Sequence, residues 1–537
     1  MYNGNMNHKY STIWLTVLSV LVLLFCFSCR PYVDPPKESP TVIPTYYIDS
    51  FCSQIDEAGN LLFSWSYVNE DFAKLSVSIF ETKTDSSQSK VVLTKEIDDI
   101  SEVDLSYAGD PGVLYAYSFV PFGKDGKAGK VFYGTSYAVP ENYKASLPRI
   151  IISTKNGELP NCDYVTHPEG SNGAGITNNS YVMTDVSLVS PDGEVLYKSG
   201  TDNSSKLKVR GNTSAYGDKK PYKIKLGKKA DLLSYLTGRT GDQFKDKEWL
   251  LLSTGTDIKN VIGFAANEYL GIEYTPAYAY VELFINGDYR GVYMLVESIK
   301  QGNISGEKQA RCAVSDNGFV IENDAYWWNE DVFFRTDRLH KNFTFKYPDD
   351  EDVTDEKIAY IKGCLDAFES ALLKDDDSYA DYIDSGTFVS WIMVREYLGC
   401  YDAEGSNQFM IKRDSSADTK LEMTTTWDFD GIMNDAERQK ISNMNRSNFF
   451  YASRLLHKSS FLELFKKKYA ETKGGIVDAI CGKIDALNSI AIESAGAWDS
   501  VRWSSGNASV ASQKDRLVSW LNDRFVWMDS AYGGSTN

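Results

Sequence analysis

Residues 391–435 constrain the chain most, because their punctuation leaves few ways to fold them. Residues 388–398 carry apolar side chains at helical spacing and stop at Gly399, a helix C-terminal signal. Residues 408–413 and 421–426 then read as the two strands of a hairpin. The acidic segment 401–407 precedes the first strand, and Trp427-Asp428-Phe429-Asp430-Gly431 follows the second. Helix, acidic loop, strand, turn, strand, acidic loop is an order that can place Asp402, Asn407, Asp428 and Asp430 at one end of one hairpin. Oxygen donors from two loops, with no His or Cys among them, suit a hard cation such as Mg2+. Asp and Asn are also ordinary turn-formers, so the rest of the chain has to decide.

At 537 residues there is room for two or three domains. The formal net charge of -18, with acidic runs at 349–352 and 375–377, argues against nucleic-acid or anionic-membrane binding by the bulk surface. It is compatible with a basic protein partner. His8, His167, His340 and His457 are scattered without metal-ligand spacing, which speaks against zinc sites and histidine triads. Lys9 precedes an apolar run at 13–27 that is short for a membrane span and right for a signal-peptide core. A small residue followed by Cys29 resembles a bacterial lipoprotein cleavage site, although Cys26 stands where Leu is usual. Residues 1–29 therefore read as a lipoprotein signal peptide with Cys29 as the lipidated residue, and the Pro-rich stretch 30–45 as a flexible tether. The expected location is the bacterial cell envelope, at the outer membrane or cell surface, with membrane contact through the lipid alone. The other cysteines form no CxxC pair, so they read as buried thiols or as a disulfide.

Residues 46–143 alternate as half-buried strands do, with Trp65 in an early strand and Tyr115-x-Tyr117-x-Phe119 before the turn at 123–126. They resemble a fibronectin type III or immunoglobulin-like sandwich acting as a spacer. A larger α+β domain follows from 147 to 530. Its strands include 148–153, two around Pro191-Asp192-Gly193, the stretch from 207 to Arg210-Gly211-Asn212-Thr213-Ser214, and 219–226. In the last of these Lys223 and Lys225 share one face. Asn286-Gly287 marks a hairpin between 279–284 and 289–296. Glu297 ends that apolar hairpin and Glu322 ends the run 318–321, and a carboxylate so placed needs a cationic partner. Residues 352–373 predict an amphipathic helix capped near Thr354, and 453 to the end is mainly helical.

Taken in order, Arg210-Gly211-Asn212-Thr213-Ser214, Lys220-Pro221-Tyr222-Lys223-Ile224-Lys225-Leu226, Lys247-Glu248-Trp249-Leu250-Leu251, the 281–297 hairpin and Trp427-Asp428-Phe429-Asp430 resemble the CotH kinase family. The resemblance spans 148–527. It implies an atypical protein-kinase-like α+β fold that binds ATP with Mg2+ and phosphorylates Ser or Thr of a protein, perhaps a basic, Ser-rich one. Asp402 would orient or deprotonate the acceptor hydroxyl. Asp428, with Asn407 and Asp430, would hold Mg2+. Lys225 or Lys223 would contact phosphate, with Glu297 as orienting carboxylate and Arg210 and Asn212 as further cofactor contacts. The alternative is a catalytically inactive kinase-fold surface lipoprotein that binds a protein or glycan partner, for which Tyr326-Trp327-Trp328 supplies stacking surface.

Overall fold

The structure is a computed structural model. It describes residues 47–533 apart from 69–70, 83–88, 161, 163, 166–174, 177–180, 201–204, 300, 303–311, 316, 401–406, 435–449, 505 and 507. The signal-peptide and tether expectations, Cys29 and Asp402 lie outside the described residues.

Strands β1 (Ile48–Ile55), β2 (Leu61–Tyr67), β3 (Phe72–Thr82), β4 (Lys90–Ile97), β5 (Asp104–Tyr107), β6 (Leu114–Gly123) and β7 (Phe132–Tyr137) form two antiparallel sheets. Their orders are β1-β2-β5 and β4-β3-β6-β7. Period-two alternation puts Leu61, Phe63 and Trp65 of β2 and Leu75, Val77 and Ile79 of β3 into one shared core. The N-terminal region is therefore all-β, with its sheets packed face to face.

Next come β8 (Arg149–Thr154), the two-residue strands β9 (Tyr164–Val165) and β10 (Gly175–Ile176), β11 (Val182–Val189), β12 (Val195–Lys198), β13 (Ser205–Val209), β14 (Tyr222–Ala230), β15 (Asp246–Leu252), β16 (Tyr278–Ile285) and β17 (Asp288–Glu297). The sheet order β12-β11-β13-β14-β15-β17-β16-β8 closes on itself, because β8 pairs parallel with β16 and antiparallel with β11. The result is a barrel with β12 as a flap. Inward-facing Ile150, Val186, Leu207, Ile224, Trp249 and Leu295 belong to one core cluster that fills it.

After the short pair β18 (Gln301–Gly302) and β19 (Cys312–Ala313), a second sheet is built from β20 (Phe319–Asn323), β21 (Phe333–Arg335), β22 (Asn342–Tyr347), β23 (Gln408–Lys412) and β24 (Glu422–Thr426), in the order β21-β22-β20-β23-β24. Helices α1 (Ser234–Thr237), α2 (Lys259–Tyr269), α3 (Asp355–Leu372), α4 (Ser385–Leu398), α5 (Phe450–Leu456), α6 (Ser459–Thr472), α7 (Ile476–Asp485), α8 (Ser489–Trp503) and α9 (Val510–Tyr532) complete the described residues. The Thr354 side chain caps α3 by accepting from Lys357 N, and Asp384 caps α4 by accepting from Thr387 N. Gly399 ends α4 in the left-handed conformation that glycine adopts without penalty. One core joins α2, α4 and α9 to the outer face of β15–β17 and one face of the second sheet.

The N-terminal β region is welded to the barrel. The Asn286-Gly287 turn between β16 and β17 docks against β1: Ile55 N donates to Asn286 O at 2.8 Å. A Cβ on Gly287 would lie 2.2 Å from Ile55 O, so this approach requires glycine. Beside it, Arg502 of α8 is buried, donating to Thr135 O at 2.7 Å and Tyr289 O at 3.0 Å. Asp288 accepts from Tyr137 N at 2.8 Å and pairs with Arg290 at 2.9 Å and Arg502 at 3.3 Å. Charges this deep persist where every one of them is matched.

Candidate functional site

Two polar faces meet beside the barrel. On β13 and β14 the residues alternating with the core point outward: Lys206, Lys208, Lys223 and Lys225. Lys223 Nζ lies 2.9 Å from Glu248 Oε2. Lys208 sits half-buried with Nζ 5.0 Å above the Tyr181 ring. Burial, reinforced by Lys223, lowers the Lys208 pKa to about 8, with Glu330 and Glu248 opposing that shift. Arg210 follows β13 by one residue. Burial depresses its pKa, and Asp428 and Glu322 act against that depression, so its guanidinium lies in the field of both carboxylates.

The facing surface comes from the second sheet. Glu322 of β20 and Lys346 of β22 form an ion pair at 2.8 Å. Thr344 Oγ1 donates to Asp324 Oδ2 at 3.2 Å. Burial, then repulsion from Glu322, raises the Asp324 pKa to about 7, while Lys346 pulls it down. The other oxygen of Glu322, Oε1, accepts from Asn407 N at 3.0 Å. Glu322 therefore touches β22 and the start of β23 while sharing Arg210 with Asp428.

The β23–β24 hairpin supplies the rest. Gln408 pairs with Thr426, so Asn407 and Asp428 flank the same end, as the order of elements predicts. Both have left-handed backbones, φ 62° at Asn407 and 59° at Asp428, a conformation that Asn and Asp tolerate better than most residues. The Asp428 turn is clamped from both sides. Arg395 donates to Trp427 O at 2.8 Å and lies 5.4 Å over the Phe429 ring. Phe429 is fully buried against Phe264 and packs onto Gly263 of α2, where a Cβ would stand 2.2 Å from the ring. Asn267 Nδ2 donates to Thr426 O at 3.2 Å. Asp430 is exposed, and its carbonyl accepts from Lys259 Nζ at 2.8 Å.

Glu297 and Lys225 do not form the expected pair. Glu297 stands opposite Trp249, on the inward face, whereas Lys225 points outward opposite Lys206 and Glu248. Glu297 pairs instead with Arg239 at 2.8 Å and accepts from Ala277 N at 3.0 Å. Burial raises its pKa, with Arg239 opposing. Lys225 is exposed, at the outer end of the lysine rows. Asn212 is half-buried, and its carbonyl accepts from Ala215 N at 3.1 Å in the turn after Arg210. The Trp327 ring packs on Phe333 with centroids 4.6 Å apart, so part of the Tyr326-Trp327-Trp328 surface is used internally. Lys208, Lys346, Asp324 and Glu330 entered no sequence-based expectation. Lys208 was within reach, lying two residues before Arg210 and hence on its face of the strand.

Among the described residues no group of three or more His, Cys, Asp or Glu gathers as a metal site. The donors that are present, the Asp428 carboxylate and the Asn407 amide at one hairpin end, still fit Mg2+. That ion keeps several waters and takes one or two carboxylates beside substrate phosphates. The best-formed pocket lies elsewhere, at the turn end of the hairpin, lined by Tyr274, Cys312, Ile411, Arg413, Glu422 and Thr424. Arg413 already pairs there with Glu422 at 2.8 Å and with Glu273, and the pocket holds none of the groups named above.

Fold and site together define a mixed α+β, kinase-like protein with an all-β region at its N-terminal side. The chain belongs to the CotH kinase family: the family model described as CotH kinase protein matches residues 207–528. Among solved structures, it aligns with the crystal structure of a Helicobacter pylori proinflammatory kinase, CtkA, at 9% identity and a TM-score of 0.21, over 51% of this chain and 91% of that chain. A search of curated proteins found no match.

Proposed function

We propose that this chain is a CotH-type protein kinase that transfers the γ-phosphate of ATP to a Ser or Thr hydroxyl of a protein partner, with Mg2+. The observation that carries this reading is the meeting of Asp428 and Asn407, at one rigid hairpin end, with Arg210 from the barrel. Bound Mg2+ would neutralise charge across the phosphates, with Asp428 and Asn407 holding it. Arg210, with Lys208 and Lys223 behind it, presents cationic donors to phosphate oxygens. Transfer forms a bond from the acceptor oxygen to Pγ and breaks the bond from Pγ to the β,γ-bridging oxygen, releasing ADP. The acceptor proton passes to Asp402 in this reading. Catalysis of this kind is positioning and charge neutralisation, so a clamped Asp428 is the residue to expect. The finer fold reading is an atypical kinase fold preceded by a fibronectin III or immunoglobulin-like sandwich. Lipidation at Cys29 would hold the protein at the cell envelope.

The test is Mg2+-dependent ATP binding and label transfer by the purified chain, beside Asp428→Ala. Transfer by the wild type should fall by at least about 100-fold in the variant. Absence of nucleotide binding to the wild-type protein would overturn the kinase reading.

A further inference from the structure

The outer face of β13–β14 carries an arrangement that costs stability in the protein alone. Lys206 lies directly opposite Lys225, and Lys208 directly opposite Lys223. Like charges so paired are destabilising. The core gives no reason for them, since the inward residues Leu207, Val209, Ile224 and Leu226 do the packing. Glu248 answers part of the charge, opposite Lys225 and 2.9 Å from Lys223. In a chain of net charge -18 these cations are concentrated against the overall composition. They grade from exposed Lys206 and Lys225, through half-buried Lys208 and Lys223, to Arg210 beside Asp428.

We propose that this lysine ladder docks an acidic segment of the acceptor protein, extended along β13–β14 toward the Asp428 end of the hairpin. The inference deepens the kinase reading and rests on it. From Lys206 to Arg210 the strand advances about 13 Å, more than phosphates anchored at Asp428 need, which leaves the exposed pair for the second substrate. Acidic side chains at alternate positions of an extended segment repeat every ~7 Å, the spacing of Lys206 to Lys208 and of Lys225 to Lys223. Both strands already have neighbours on each edge, so the contact is made by side chains and not by strand addition. The whole-chain charge favours a basic partner at long range, whereas contact at the cleft answers to the local sign.

The experiment uses the full chain and labelled Ser peptides of equal length with Glu or Lys at alternate positions, or neither. Without nucleotide, the acidic peptide should bind at least ~10-fold more tightly than the basic one, with the difference shrinking as salt rises. Lys206→Glu should weaken acidic-peptide binding ~3- to 10-fold and leave transfer to the neutral peptide unchanged. A Glu at 206 would face Lys225 across the strands, a favourable pair, so the variant should fold. Equal binding of acidic and basic peptides, or no effect of Lys206→Glu, overturns the proposal. So does loss of acidic-peptide binding under saturating Mg-ADP, which would assign the lysines to the nucleotide. Transfer without acidic preference removes the docking surface and keeps the kinase. Acidic selectivity without transfer to any peptide keeps the surface and removes the kinase.

Discussion

Glu322 gives the sharpest test of the site, because one carboxylate ties three elements together. Glu322→Gln keeps an oxygen that can accept from Asn407 N–H, a bond of 3.0 Å, and preserves size. It removes the negative charge facing Lys346 at 2.8 Å and Arg210. A hydrogen bond to a charged group contributes about 1.5–3 kcal/mol. If orientation of Arg210 depends on that charge, kcat/KM for ATP should fall by about 10- to 150-fold. Asp428 remains as a counter-charge for Arg210, so the loss should stay below that of Asp428→Ala. Glu322→Asp, which restores charge on a shorter arm, should recover part of it, and Glu322→Ala should be worse than Gln because Asn407 N–H loses its acceptor. The assay is steady-state label transfer with ATP varied, normalised to folded protein and set beside thermal melts of each variant. A Glu322→Gln protein within about twofold of wild type, while Asp428→Ala is dead, would refute the reasoning. So would a loss that tracks only the amount of folded protein.

Two further outcomes follow from the packing. Gly263→Ala should destabilise the protein by about 1–3 kcal/mol, because its Cβ would stand 2.2 Å from the Phe429 ring; label transfer should fall beyond what melts account for, since displacing Phe429 moves Asp428. Asp288→Asn leaves Arg290 and Arg502 buried without their carboxylate and should cost about 3–5 kcal/mol in urea denaturation, whereas a cost below ~1 kcal/mol would mean that the weld contributes little.

Local signals were legible in the sequence where backbone chemistry is unambiguous. The Asp384 cap, the Gly399 stop, the Asn286-Gly287 turn and the hairpin register at Gln408 and Thr426 all follow from residue type and spacing. The facing of Glu297 was not legible, and the reason is physical. Strand β17 is buried on both faces for most of its length, so period two leaves no trace in its composition. In β14, one face is solvated and the lysines alternate openly. Pairing of β20 with β23 was equally hidden, because helices α3 and α4 intervene in the chain between them. Arg502 looks like a solvated charge in an amphipathic helix; only the assembled fold shows it buried against Thr135.

Closure of the barrel divides the labour among neighbouring residues. Because β8 completes the ring and side chains fill its interior, no ligand can enter it, and whatever the strands recognise must be recognised from outside. Along β13 and β14, odd steps answer to the interior and even steps to the partner. Specificity there can be rewritten one residue in two, at Lys206, Lys208, Lys223 and Lys225, while Leu207, Val209, Ile224 and Leu226 keep the barrel standing. For an engineer, the selectivity of this face and the stability beneath it are separate dials on the same pair of strands.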